Sequence, residues 1–137
     1  MLNKLTRHFD YRERRCYPNI MFGGGECDLL VVSPSGYATE YEVKLTLADW
    51  RSDVNKPKWR AKDRKHVTSF YYVVPVQLIA QQHLVEMQSG AGLLSWDGDR
   101  FDTHVEARRT PYKLTMDQRR VLDNSMYYRF WQQRLGR

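Results

Sequence analysis

The 137 residues predict one α/β domain built on a mixed central sheet flanked by helices. Three features carry that reading. Short runs rich in Val, Leu, Phe and Tyr alternate with stretches of helical spacing, two of the runs are joined by a Pro/Gly turn, and the chain closes on a long helix with its own capping signal. A chain that is 42% apolar and 13% aromatic has material for a core, which argues against disorder. No apolar run approaches a membrane span and no signal-peptide pattern opens the chain, so no membrane partner is expected. Cys16 and Cys27 match no metal-binding spacing, and as reduced thiols they suit a cytoplasmic protein, bacterial or phage-encoded.

Leu2, Leu5 and Phe9 are spaced for a short amphipathic helix over 2–9. Residues 15–22 read as a strand, and Pro18 puts it at an edge or a bulge. Gly23-Gly24-Gly25 turns the chain into a hairpin of 26–32 and 37–43 around Ser33–Tyr37. Thr46, with Asp49 three residues on, caps a helix over about 47–54, and Pro57 starts a second short one. Val67 to Val76 is a buried central strand, followed by a helix over 76–87. Leu93–Trp96 and Phe101–Ala107 pair across Asp97-Gly98, whose acids are solvated turn residues without EF-hand spacing. Thr115-Met116-Asp117-Gln118 is a capping box, and the helix behind it presents Leu122, Met126 and Phe130 with Tyr127, Trp131 and Leu135, a wide apolar face expected to close the core. Its surplus aromatics also suit a homodimer contact.

Net charge is +6, from 22 Lys and Arg against 16 Asp and Glu. The distribution is uneven. Residues 50–66 hold seven cations, Arg51, Lys56, Lys58, Arg60, Lys62, Arg64 and Lys65, and the first 22 residues add Lys4, Arg7, Arg12, Arg14 and Arg15. Segregated positive charge of this kind favours nucleic acid as partner. Trp50 and Trp59, interleaved with these cations, fit either core packing or stacking on bases.

The chemistry concentrates in the hairpin. Pairing Val32 with Ala38 and Leu30 with Glu40 sets Asp28 opposite Glu42, and Lys44 falls on the same face two positions on. Two carboxylates about 5 Å apart repel by about 3 kcal/mol at an effective dielectric near 20, so the arrangement calls for a divalent cation, with Lys44 as further compensation. Mg²⁺, or Mn²⁺, would hold water for attack on a phosphodiester while Lys44 neutralises phosphate charge. A bare acid-x-Lys triplet is weak, since roughly one is expected by chance in such a chain. Asp63-Arg64-Lys65 is such a decoy, with a charged middle residue and no partner strand. An exposed cross-strand ion pair is the competing reading of Glu42 and Lys44.

The run Asp28-Leu29-Leu30, then Glu42-Val43-Lys44, Ala48-Asp49-Trp50-Arg51-Ser52-Asp53 and Phe70-Tyr71-Tyr72-Val73-Val74-Pro75, resembles the PD-(D/E)XK nuclease superfamily, and within it the MmcB-type DNA-repair endonuclease family. The resemblance covers the chain from about residue 26 onward. It implies a restriction-endonuclease-like sheet, Asp28 and Glu42 as metal-binding acids, Lys44 as the motif lysine and the Val43 carbonyl as a further ligand. It also implies an extra acid from the first helix, for which Asp10, Glu13 and the non-helical Glu26 are the candidates. The expected activity is metal-dependent DNA hydrolysis in DNA repair or phage DNA metabolism, with Arg51, Lys56, Lys58, Arg60, Lys62 and Lys65 on the phosphate backbone. The alternatives are an inactive protein of the same fold that binds nucleic acid or acts against a host defence, and an interaction protein that docks a partner through its last helix.

Overall fold

Among the described residues, six strands lie in one sheet in the order in which they occur along the chain. The computed structural model describes residues 1–22, 25–54, 67–79 and 90–136. The second short helix from Pro57, Trp59, all the predicted phosphate-binding cations after Arg51, and the 80–87 part of the helix after the central strand lie outside the described residues. The elements are α1 (Leu2–His8), β1 (Arg15–Phe22), β2 (Gly25–Val32), β3 (Ala38–Val43), α2 (Leu47–Val54), β4 (Ser69–Pro75), α3 (Val76–Ile79), β5 (Gly92–Trp96), β6 (Phe101–Val105) and α4 (Met116–Arg134). β1, β2 and β3 form an antiparallel meander, β3, β4 and β5 are parallel neighbours, and β6 returns antiparallel on β5. The sheet is therefore mixed, as the sequence predicts.

Both faces are covered. On one, Leu29, Val31, Tyr41, Val73 and Leu94 pack with Leu5 of α1. On the other, Phe70, Tyr72, Val74 and Leu93 pack with Trp50 of α2, and Leu30, Val32 and Ala38 pack with Leu122 of α4. Fully burying each such side chain is worth about 1.5–3 kcal/mol. Trp50 is 1% exposed and stands 4.6 Å from the Tyr72 ring, so it belongs to the core and not to a stacking surface.

The hairpin pairs Leu30 with Glu40 and Val32 with Ala38 as predicted, but the ladder ends at Leu29–Tyr41 and does not include the predicted Asp28–Glu42 pair. Its turn closes through the Gly36 N–H on the Ser33 carbonyl and the Ser33 N–H on the Tyr37 carbonyl, both at 2.9 Å. Gly36 sits at φ +96°, and a Cβ there would stand 3.3 Å from the Leu114 carbonyl oxygen, so the turn needs glycine twice over. At Gly92 a Cβ would fall on the Tyr71 ring and 2.8 Å from the Ala107 nitrogen. Gly92→Ala is expected to lower stability by about 1–3 kcal/mol through overpacking, read as an earlier urea midpoint.

Strand alternation breaks in β1 and β2. Tyr17 and Ile20, three apart in β1, share a cluster with Cys27 and Leu30, three apart in β2. Between them Asn19, at φ 49°, faces Asp28 in a register that pairs Pro18 with Leu29 and Ile20 with Cys27. Both strands bend there, as Pro18 foreshadows, and the bend is held by α4: Arg129 donates to the Pro18 and Asn19 carbonyls at 2.5 and 2.6 Å.

The terminal helix departs from expectation. Thr115 and Gln118 form the predicted capping box, yet Leu122 is the buried residue of the helix and Met126 only packs against the core. Tyr127, Tyr128, Phe130, Trp131 and Leu135 are 41–62% exposed. The wide apolar face therefore does not close the core. Helical spacing shows that a face is apolar, not that the sheet is broad enough to cover it, and everything from Phe130 to Gly136 is exposed.

Candidate active site

At the far end of the β2–β3 hairpin from its turn, the ladder stops at Leu29–Tyr41. One step further the Val43 N–H donates to Asp28 Oδ2 at 2.8 Å. A side-chain carboxylate thus takes the position of a backbone acceptor just where β2 bends and parts from β3. The neighbouring Lys44 N–H bonds the Val73 carbonyl of β4 at 2.9 Å. On an extended strand the N–H and carbonyl of one residue share an edge, so the Val43 carbonyl lies on the β2 side, with Asp28.

Glu42 and Lys44 follow Ala38 and Glu40 on the face that α2 covers. Lys44 Nζ lies 3.1 Å from Glu42 Oε1, with side chains 11% and 9% exposed. This is a buried ion pair, not an exposed cross-strand one. Glu40, 4% exposed, is a buried acid that the sequence reading did not single out. The signal was present: a charge opposite Leu30 on an inward-facing position must be buried. The carboxylates of Glu40 and Glu42 stand on strand positions about 6.6 Å apart, enough to repel by about 2.5 kcal/mol at a dielectric near 20. The local chemistry therefore favours cations.

The structure sets the Asp28 carboxylate on the Val43 N–H and Lys44 on Glu42, and leaves the extra-acid candidates elsewhere. Glu13 falls in the turn after α1, which ends at His8, and lines a cleft with Ser33 and Pro34 at the turn end of the hairpin; α1 itself covers the sheet face opposite to Glu42. Glu26 is an exposed β2 residue opposite Met21. Asp10 is paired with Arg12. Among the described residues no three His, Cys, Asp or Glu side chains gather as a metal-holding group. Asp28, Glu42 and the Val43 carbonyl offer hard oxygens, the donor type that Mg²⁺ or Mn²⁺ takes while retaining several waters of its own. Arg51 is exposed on α2, next to the buried Trp50. Asp97 accepts from the Asp99 and Arg100 N–H groups at 2.8 and 2.9 Å, and these bonds hold its carboxyl below the usual range, so it serves its own turn.

No protein-family model matches the sequence, and no curated protein matches it. A solved structure does: the SPO1766 protein of unknown function from Silicibacter pomeroyi superposes with a TM-score of 0.67 over 93% of this chain and 84% of that one, at 20% identity. That likeness supports the α/β fold. Fold and site together define a mixed-sheet protein with a carboxylate–lysine constellation where a strand pair opens.

Proposed function

We propose that the protein is a metal-dependent deoxyribonuclease, an endonuclease or nickase that hydrolyses phosphodiester bonds in DNA repair or phage DNA metabolism. One observation carries the reading: Asp28 caps the Val43 N–H at the point where β2 and β3 separate, beside the buried Glu42–Lys44 pair. Asp28, Glu42 and the Val43 carbonyl would hold Mg²⁺ or Mn²⁺, and the ion would supply Lewis-acid polarisation of the phosphodiester and of the attacking water. Lys44 orients Glu42 through their ion pair, and its ammonium would neutralise charge developing on a phosphate oxygen. The backbone bond to Asp28 fixes that carboxylate without a further side chain. Burial of the pair strengthens each of these interactions relative to water.

The same ion pair also favours a second reading, in which Glu42 and Lys44 are structural and the protein binds nucleic acid without cutting it. Supercoiled plasmid separates the two. Cleavage predicts relaxed or linear product with Mg²⁺ or Mn²⁺ and none in EDTA. Binding that survives EDTA, with no product under any divalent ion, would establish the second reading instead.

A second copy of the chain is the further partner we propose, over the outward face of α4. Val121, Tyr128, Trp131 and Leu135 recur at heptad spacing there, with Asn124 at the remaining position. Met116, Tyr127 and Phe130 add exposed apolar surface beside this stripe. Light scattering is expected to report a dimer that Trp131→Glu converts to monomer; a monomer at every concentration would end this proposal.

A further inference from the structure

The opposite end of the hairpin carries a second charged surface. A cleft of about 440 Å³ lies between the start of β1 and the Ser33–Pro34 turn, lined by Arg12, Arg14, Arg15 and Arg119. Tyr11, 60% exposed, stands at its wall. On the other side of the same turn, the Arg109 guanidinium and the Lys113 ammonium lie 5.4 and 4.7 Å from the centre of the Tyr37 ring. Six cations thus surround one five-residue turn.

Three acids share the area. Glu13 lines the cleft, Asp10 pairs with Arg12 at 3.2 Å, and Asp123 pairs with Arg15 at 3.6 Å. Both ion pairs are exposed on each side, and such pairs are worth about 0–1 kcal/mol, so a stronger anion can displace them. Asp123 is in addition shared with the Tyr17 hydroxyl, which donates to it at 2.5 Å. The balance of six cations to three acids stays positive.

We infer that this rim binds the phosphodiester backbone of a nucleic acid, as a surface separate from the carboxylate site. The inference rests on the nucleic-acid reading above but not on cleavage. The cations reach from β1 across β2 to the turn into β3, two strand spacings or about 10 Å, further than a single phosphate group extends. Arginine forks match phosphate oxygens in pairs, and five of the six cations are arginines, four of them lining the cleft. Tyr11 gives a base a face to stack on. From Ala38 to Glu42 the strand runs about 13 Å, so the rim does not overlap the candidate metal centre.

The test is fluorescence anisotropy with labelled duplex and labelled single-stranded DNA, in EDTA, across a salt series. Arg14→Ala is expected to lower the slope of log K against log salt by about one on duplex. Arg12→Glu with Arg14→Glu is expected to weaken binding by about tenfold or more, whereas Lys4→Glu, an exposed α1 control, stays within about twofold. Circular dichroism on each variant keeps a folding failure apart from a binding loss. Rim variants that are folded and keep wild-type affinity and slope overturn the proposal, as does a wild type that binds neither DNA. A wild type that never cuts plasmid, but whose DNA binding falls in the rim variants, sinks the cleavage reading and leaves the rim standing.

Discussion

Asp28→Asn and Glu42→Gln are each expected to reduce metal-dependent plasmid nicking by about 10³-fold while leaving DNA binding in EDTA unchanged. Both substitutions remove a charge and keep the shape. Asparagine retains an oxygen that can accept from the Val43 N–H, now 2.8 Å from Asp28 Oδ2, so the separation of β2 and β3 is preserved. Glutamine retains the oxygen that faces Lys44 Nζ, at 3.1 Å from Glu42 in the native pair. What is lost is the anionic character that draws a divalent ion; because Glu42→Gln also leaves Lys44 buried without its anion, a fall in rate reports metal-dependent chemistry only where the variant's melt shows it folded at the assay temperature. The measurement is initial nicking rate against Mg²⁺ and Mn²⁺ concentration, with thermal melts alongside. Equal rates for wild type and both variants would remove these residues from the reaction.

Much of this site is legible in the sequence because a strand has period two. Once Ser33-Pro34-Ser35-Gly36 fixes the turn, the pairs Val32–Ala38 and Leu30–Glu40 follow, and Asp28 falls one step past the end of the ladder at Leu29–Tyr41. The bend at Asn19 and Asp28 is hinted at by Pro18 alone, and the sequence could not indicate that the Asp28 carboxylate would replace a ladder acceptor. The first-helix acid fails for a different reason. Leu2, Leu5 and Phe9 reveal that α1 is amphipathic, but which sheet face it covers is a tertiary choice, and it covers the one away from Glu42. The α4 aromatics repeat the lesson: local spacing marks an apolar stripe, while the extent of the surface beneath decides how much is buried.

Lys44→Met is expected to cost about 3–5 kcal/mol of stability, as for other broken buried ion pairs, because Glu42 loses the ammonium that offsets its desolvation. The double variant Glu42→Gln/Lys44→Met removes both charges and should recover part of that loss, giving a coupling energy of about 1–3 kcal/mol in a urea cycle. A cycle that sums to zero would mean the contact contributes nothing beyond its separate members. The metal reading adds a second arm. With Lys44 gone, Glu42 gains its compensating charge from an ion, so Mg²⁺ should raise the melting temperature of Lys44→Met more than that of the wild type, by linkage between binding and folding. It should do nothing for Glu42→Gln/Lys44→Met, whose acid is gone. Equal responses to Mg²⁺ in all three proteins would show that the ion does not meet Glu42, and Lys44 would then be the structural partner of a buried acid and no part of a phosphodiesterase.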